Sequence, residues 1–261
     1  MTPHHRLQSY YGYSFESYCT SSSPNGQESQ IEATQHAKGW GGDVDTNVQW
    51  CSIVKTKLGN DRLVIGGEVD CVREKYTGKP DTFVELKTSL TIRNSQDEAR
   101  FEKKLLKFYF QSFLLGVPEI VVGFRKPSGQ LTTLQSFQTI QLPRLVRGKP
   151  GAWDPSICLA WGEEFITFIK SIVSSQSAPA EDLSSPDSKV WRVKFTPGLG
   201  VSVYLLDEAG VKEVEAGEER IGFLPAWYLD DLKAKPAQPI RPTSTPTVRP
   251  DLPSVVQGWQ I

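Results

Sequence analysis

The chain is poor in the features that mark several common classes of protein. Its four cysteines, Cys19, Cys51, Cys71 and Cys158, are far apart and form no Cys-x-x-Cys pair, which argues against a zinc knuckle or a disulfide framework and leaves free thiols as the expectation. Of three histidines, His4 and His5 are adjacent but His36 lies in a different loop, so no zinc site is expected. No run approaches the ~18 apolar residues that a spanning helix requires. The first fifteen residues hold no apolar segment of the kind found in a secretory signal. Neither sign of charge dominates: 29 basic and 30 acidic residues leave a net charge of −1, which excludes a generally basic nucleic-acid binder and confines any such contact to a local patch. Neither GxxxxGK[ST] nor GxGxxG occurs, so a nucleoside-triphosphate fold is unsupported. There is no internal repeat.

Aromatic residues are plentiful. Seven Trp, eight Tyr and twelve Phe in 261 residues exclude a wholly disordered chain. The length suits one domain, or one domain and a tail. Residues 8–20 read as a short aromatic-rich helix, followed by a Ser/Pro/Gly loop over 21–36. Strand-like runs at 48–56 and 62–72 flank Leu58-Gly59-Asn60-Asp61 and predict a β-hairpin. A third strand is expected over 82–91, a helix over 97–115 stopped by Gly116-Val117-Pro118, and two strands at 119–125 and 131–140. A helix over 159–174, short strands at 190–195 and 201–205 and an aromatic closing segment at 221–232 complete the body. Residues 233–261 are Pro-rich and read as a flexible tail. The fold class is α+β, a mixed α/β arrangement of mixed β-sheets flanked by helices, without regular alternation of parallel βαβ units.

The chemically informative stretch is Gly66-Gly67-Glu68-Val69-Asp70, followed by Glu85-Leu86-Lys87. Strand side chains alternate faces, so Glu68 and Asp70 are expected to share one face and Glu85 and Lys87 another. If the strands pair, three carboxylates and one ammonium converge. Like charges at that range repel unless a cation lies among them. All-oxygen ligands suit Mg²⁺ or Mn²⁺, and such an ion activates water and offsets charge growing on a phosphate. A lone Glu-x-Asp or Glu-x-Lys is usually a solvated strand face. Here Val64, Ile65, Val69 and Val72 beside the first pair, and Phe83, Val84 and Leu86 beside the second, predict strands covered on both faces, where charges need partners. On the helix that follows, Lys104, Lys107 and Gln111 recur at i, i+3 and i+7 and so share a face. A solvated polar stripe has the same spacing. Glu16, inside the aromatic run Tyr11-Gly12-Tyr13-Ser14-Phe15-Glu16, has an equally plain reading as a helix-start acid.

Asp70 with Glu85-Leu86-Lys87 resembles the core motif of the PD-(D/E)XK metal nucleases. Taken in order, Tyr11-Gly12-Tyr13-Ser14-Phe15-Glu16, Gly67-Glu68-Val69-Asp70, Glu85-Leu86-Lys87, the run from Lys104 through Gln111 to Gly116, and Gly222-Phe223-Leu224-Pro225-Ala226-Trp227-Tyr228 resemble the DXO family of RNA 5′-end decapping and quality-control enzymes. The fungal branch of that family includes the partner of a nuclear 5′→3′ exoribonuclease. The resemblance runs over residues 10–232, so residues 1–232 are expected to form the nuclease domain. It implies a PD-(D/E)XK-like metal core in which Glu16, Asp70 and Glu85 bind a divalent cation (Mg²⁺ or Mn²⁺), with help from the Leu86 carbonyl. Glu68 would hold the ion or its water. Lys87 and Gln111 would contact the scissile phosphate or attacking water, with Lys107 on the substrate side. The implied substrates are RNA 5′ ends carrying a triphosphate, an incomplete cap or an NAD cap, in some members followed by 5′→3′ degradation, and the implied location is the nucleus.

Members of that family carry a long region, including an active-site Arg, before the Tyr-Gly-Tyr motif. This chain has ten residues there, and Arg6 is too close to the motif to substitute. Exposed sheet edges and poor solubility are therefore expected, and metal binding more than full activity. Two other functions fit parts of the pattern: a catalytically impaired scaffold or activator of a nuclear exoribonuclease, and a PD-(D/E)XK nuclease acting on DNA. Arg144, Arg147 and Lys149 form a basic stretch able to follow a phosphate backbone, but a solvated loop explains them as well.

Overall fold

The computed structural model describes residues 2–20, 44, 46, 49–175 and 189–215. The aromatic closing segment at 221–232 and the Pro-rich tail lie outside them. The chain divides into two compact units after Glu163.

The first unit opens with α1, Pro3–Cys19, whose first turn is closed by the Thr2 side chain accepting the His5 N–H. β1 (Cys51–Leu58) and β2 (Asp61–Glu68) form an antiparallel hairpin around Gly59-Asn60. Gly59 takes φ +55°, which a two-residue hairpin turn demands and glycine adopts without penalty. The second sheet has the order β3-β4-β5-β6, formed by Cys71–Val72, Phe83–Leu90, Glu119–Arg125 and Leu131–Gln138. β4 and β5 are parallel, and the flanking pairs are antiparallel. The β4–β5 crossover is α2, Ser95–Leu115. Asn94 caps it by accepting the N–H of Asp97, the first acidic residue of the helix, at 2.9 Å. Gly116 ends it in a left-handed conformation at φ +75°.

The short helix α3, Leu142–Val146, follows β6, and α4 spans Pro155–Ser175. In the second unit, β7 (Trp191–Thr196) and β8 (Gly200–Leu205) form an antiparallel hairpin ahead of α5, Glu208–Glu215. This is the mixed α/β class expected. Among the described residues, no helix is long and apolar enough to cross a membrane, and all four cysteines carry free thiols.

Two helices pack on opposite faces of the central sheet. Ile120, Val122 and Phe124 of β5 meet Phe101, Leu105, Phe108 and Tyr109 of α2. On the other face Phe15 of α1 packs with Val84, Leu86 and Val121. Gly123 makes that contact possible, since a Cβ there would lie 2.7 Å from the Phe15 ring. Arg125, only 5% exposed, adds a polar clasp: its guanidinium sits 4.7 Å over the Tyr11 ring and donates to the Gln8 side chain. α1 is thereby fixed to the sheet at three successive turns.

Two expectations need correction. The run 62–72 is not one strand: β2 stops at Glu68, where its partner β1 begins, and Cys71 starts pairing with β4. Face alternation therefore does not carry from Glu68 to Asp70. Nor is the hairpin covered on both sides, because Ile53 is 74% and Val64 68% exposed. β4, by contrast, is buried along most of its length. Among the described residues β6 ends the sheet and is exposed at nearly every position, including Leu134.

Candidate active site

The site is assembled by strand pairing. Cys71 stands opposite Val84, which brings the preceding Asp70 beside Glu85 and Leu86. Asp70 Oδ2 accepts the Leu86 N–H at 2.6 Å. Glu85, Lys87 and Ser89 alternate onto the α2 face of β4, while Leu86 faces α1. Glu85 is 1% exposed. Its Oε1 accepts from the Lys87 ammonium and, at 2.7 Å, from Gln111 Nε2. Its Oε2 is buried and has no hydrogen-bond partner. Lys104 donates to Ser89 at 3.3 Å. The contacts 111–85 and 104–89 show α2 running antiparallel to β4, so the helical stripe read from the sequence lies along the strand that carries Glu85. Lys107 is exposed.

Glu16 reaches the same region because Phe15, its neighbour on α1, is locked against Val84 and Leu86. Glu16, Glu68 and Asp70 line one cavity of about 140 Å³ together with Tyr13 and Trp50. The charges interact across it. Burial pushes the Glu16 carboxyl up to about 7; Asp70, Glu68 and Glu85 push the same way and Lys87 opposes. Burial also raises Asp70, against the Leu86 N–H and Lys87, and raises Glu85, mainly against Lys87. The protein thus brings Glu16, Glu68, Asp70, Glu85, Lys87 and Gln111 into one neighbourhood. Among the described residues, however, no three His, Cys, Asp or Glu side chains stand close enough to hold a metal ion as they are. Lys87 and Gln111 instead supply the compensation at Glu85.

The donor set still suits a hard cation. It is all oxygen, three of its carboxylates are raised by burial, and Glu85 Oε2 is a buried acceptor without a hydrogen-bond donor among the described residues. A test follows from Glu16. In chelator, a carboxyl whose folded pKa of about 7 exceeds its unfolded value contributes stability below its unfolded pKa, and that contribution is lost as pH rises through about 7. A cation needs the deprotonated form, so its effect has the opposite trend. The melting-temperature increase produced by Mn²⁺ is expected to be larger at pH 8 than at pH 5.5, and Glu16→Gln to flatten that difference.

Two contacts escaped sequence reasoning, and Lys149, read from the sequence as part of a basic stretch, is paired. Arg125 is tied to Gln8, 117 positions away; the only local signal is a charged residue ending an apolar strand. Trp50 and Tyr76 stand at 5.0 Å beside the buried Phe83. Lys149 pairs with Glu98 and Glu102 instead of offering a free cation to a phosphate backbone.

Comparison with known proteins identifies the family. A sequence profile described as RAI1 like PD-(D/E)XK nuclease matches residues 1–229. The chain belongs to this family. It is 41% identical to decapping nuclease RAI1 of Mycosarcoma maydis, over 85% of this chain and 54% of the relative. Against the decapping and exoribonuclease protein of Xenopus laevis the identity is 42%, over 85% and 49%. The chain therefore spans about half the length of these relatives. Scheffersomyces stipitis Rai1, solved in complex with (3′-NADP)⁺ and calcium ion, superposes with a TM-score of 0.66 at 28% identity, covering 84% of this chain and 55% of that one. Candida albicans Rai1, solved with pU5-Mn²⁺, gives 0.71 at 24% identity over 88% and 58%, a likeness of fold.

Proposed function

We propose that the chain is a divalent-metal-dependent hydrolase of RNA 5′ ends, acting on triphosphate, incompletely capped and NAD-capped termini. The observation that carries this reading is the convergence of Lys87 and Gln111 on Glu85, beside Asp70 on the paired strand. The relatives' decapping activity and the calcium and dinucleotide bound to a homologue support it.

Glu16, Asp70, Glu85 and the Leu86 carbonyl are the groups that would hold Mg²⁺ or Mn²⁺, with Glu68 acting directly or through water. When bound, the ion supplies Lewis acidity and a more acidic water. The chain's own residues do the rest. Lys87, released from Glu85, is a cation of the right reach to hold a non-bridging phosphate oxygen. Gln111 can donate to the phosphate or orient the attacking water without adding charge. Lys107, exposed on the same helix, is placed to meet the RNA backbone. Water adds to phosphorus, the oxygen of the pyrophosphate, cap or NAD leaves, and one set of contacts serves every end because each presents a phosphorus bonded to the 5′ oxygen of the nucleotide that the RNA retains. Nuclear placement, subsequent 5′→3′ degradation and partnership with an exoribonuclease belong to the same proposal and rest on the family.

The purified chain, given Mg²⁺ or Mn²⁺, is expected to release pyrophosphate, cap nucleotide or NAD from the matching short RNA, and to stop when the ion is chelated. Folded protein inactive on all three ends, with Asp70→Ala leaving cation binding unchanged, refutes the reading.

A further inference from the structure

The cavity that holds the carboxylates has an aromatic wall that the hydrolysis just described does not use. Tyr13 and Trp50 line it beside Glu16, Glu68 and Asp70. Trp50 is 42% and Tyr13 43% exposed. An exposed indole is costly to keep in water and informative where it stands next to a site. This one is also held in place. The Trp50 carbonyl accepts the Val69 N–H at 3.0 Å, tying it to the peptide between Glu68 and Asp70. The indole lies nearly perpendicular to two rings, at 5.0 Å and 75° to Tyr76 and 5.1 Å and 88° to Phe83. Phe83 is 1% exposed and lies two positions before Glu85 on β4. Backbone and core thus fix the ring in register with the carboxylates, while a large part of it stays open.

We propose that Trp50 is a stacking platform for the base of the nucleotide whose 5′ phosphorus is attacked. The proposal rests on the RNA 5′-end reading above and names the subsite for the first nucleotide. Stacking on an aromatic face accepts any base, because every base has a π-face. A cavity lined by both carboxylates and an indole suits a ligand that carries its phosphate and its flat ring close together, as a nucleotide does. The leaving groups of triphosphate, incompletely capped and NAD-capped ends differ, but each leaves behind a nucleotide whose 5′ phosphorus was attacked. A platform for that nucleotide would place phosphorus identically for each. A cover for the Phe83 cluster alone would explain the ring contacts but not the open indole surface beside three carboxylates.

The test compares 5′-triphosphate RNA with the same oligonucleotide made abasic at its first position, using the whole chain and Mn²⁺. Wild type is expected to favour the base-bearing end in kcat/KM by roughly 5- to 150-fold, the range of stacking on one aromatic ring. Trp50→Leu, which keeps apolar contact with Phe83 but has no π-face, is expected to act on both ends at the abasic rate, and Trp50→Phe to retain most of the preference. Equal wild-type rates on the two ends overturn the proposal whatever any variant does. So does a Trp50→Leu enzyme slowed equally on both. If wild type hydrolyses neither end, the hydrolase reading fails by itself. The platform is then judged by anisotropy of the two oligonucleotides, 5′-monophosphorylated, in Ca²⁺: weaker binding of the abasic one that Trp50→Leu erases supports it, and equal binding overturns it.

Discussion

Glu85→Gln is expected to lower metal-dependent hydrolysis by roughly 100- to 10,000-fold, the range implied by losing several kcal/mol of cation-based stabilisation. The change is nearly isosteric. It removes the anion that both Lys87 and Gln111 address, and with it the buried Oε2 acceptor. The fold should tolerate the amide, because burial already holds the Glu85 carboxyl above its ordinary range. Single-turnover rates in Mn²⁺, with melting temperature measured in chelator and in Mn²⁺, separate the two effects. The expected result is a folded variant that has lost both hydrolysis and the Mn²⁺-induced rise. A variant retaining wild-type rate and wild-type metal response would remove Glu85 from the site.

The largest effect on stability is expected at Phe101. Its ring meets Phe124 at 5.1 Å, Phe137 at 6.0 Å and Phe108 at 6.4 Å, joining α2 to β5 and β6. Phe101→Ala removes these contacts and leaves a cavity, costing about 3–5 kcal/mol and lowering the melting temperature by roughly 6–20 °C. Urea unfolding followed by circular dichroism measures it. Phe101 is not among the groups assigned to cation or phosphate, so activity at low temperature should survive better than stability. Unchanged stability would mean that α2 is not held to the sheet through this ring.

The same physical distinction decides what could be read from the sequence. α2 was legible because its signals are local: acidic residues in the first turn, and Gly116 where a left-handed residue must stand. The Asp70 and Glu85-Leu86-Lys87 motif was legible because strand alternation and pairing suffice to bring those groups together, as Leu86 N–H and Asp70 Oδ2 show. The end of β2 was not legible. Gly66 and Gly67 stand just before the end of β2 but pair within it, and the chain changes partner from β1 to β4 around Val69 and Asp70, a tertiary fact. α3 is five residues long and begins Leu-Pro, too short for a period to emerge. The clasp of Arg125 on Gln8 and Tyr11, and the position of Trp50 beside Asp70, depend on contacts between distant segments, which spacing does not encode.

Val69 ends up with an office that its modest side chain conceals. Glu68 belongs to the hairpin and Asp70 leads into the central sheet, so the single residue between them joins two separately paired sets of strands. Its side chain is sunk in the core, 1% exposed, and its N–H is bonded to Trp50. The separation of the two acids is therefore set by how Val54 and Ile65 of the hairpin seat with Val69 against Phe83 and Leu115. The gap between these acids is gauged by how firmly one valine is seated.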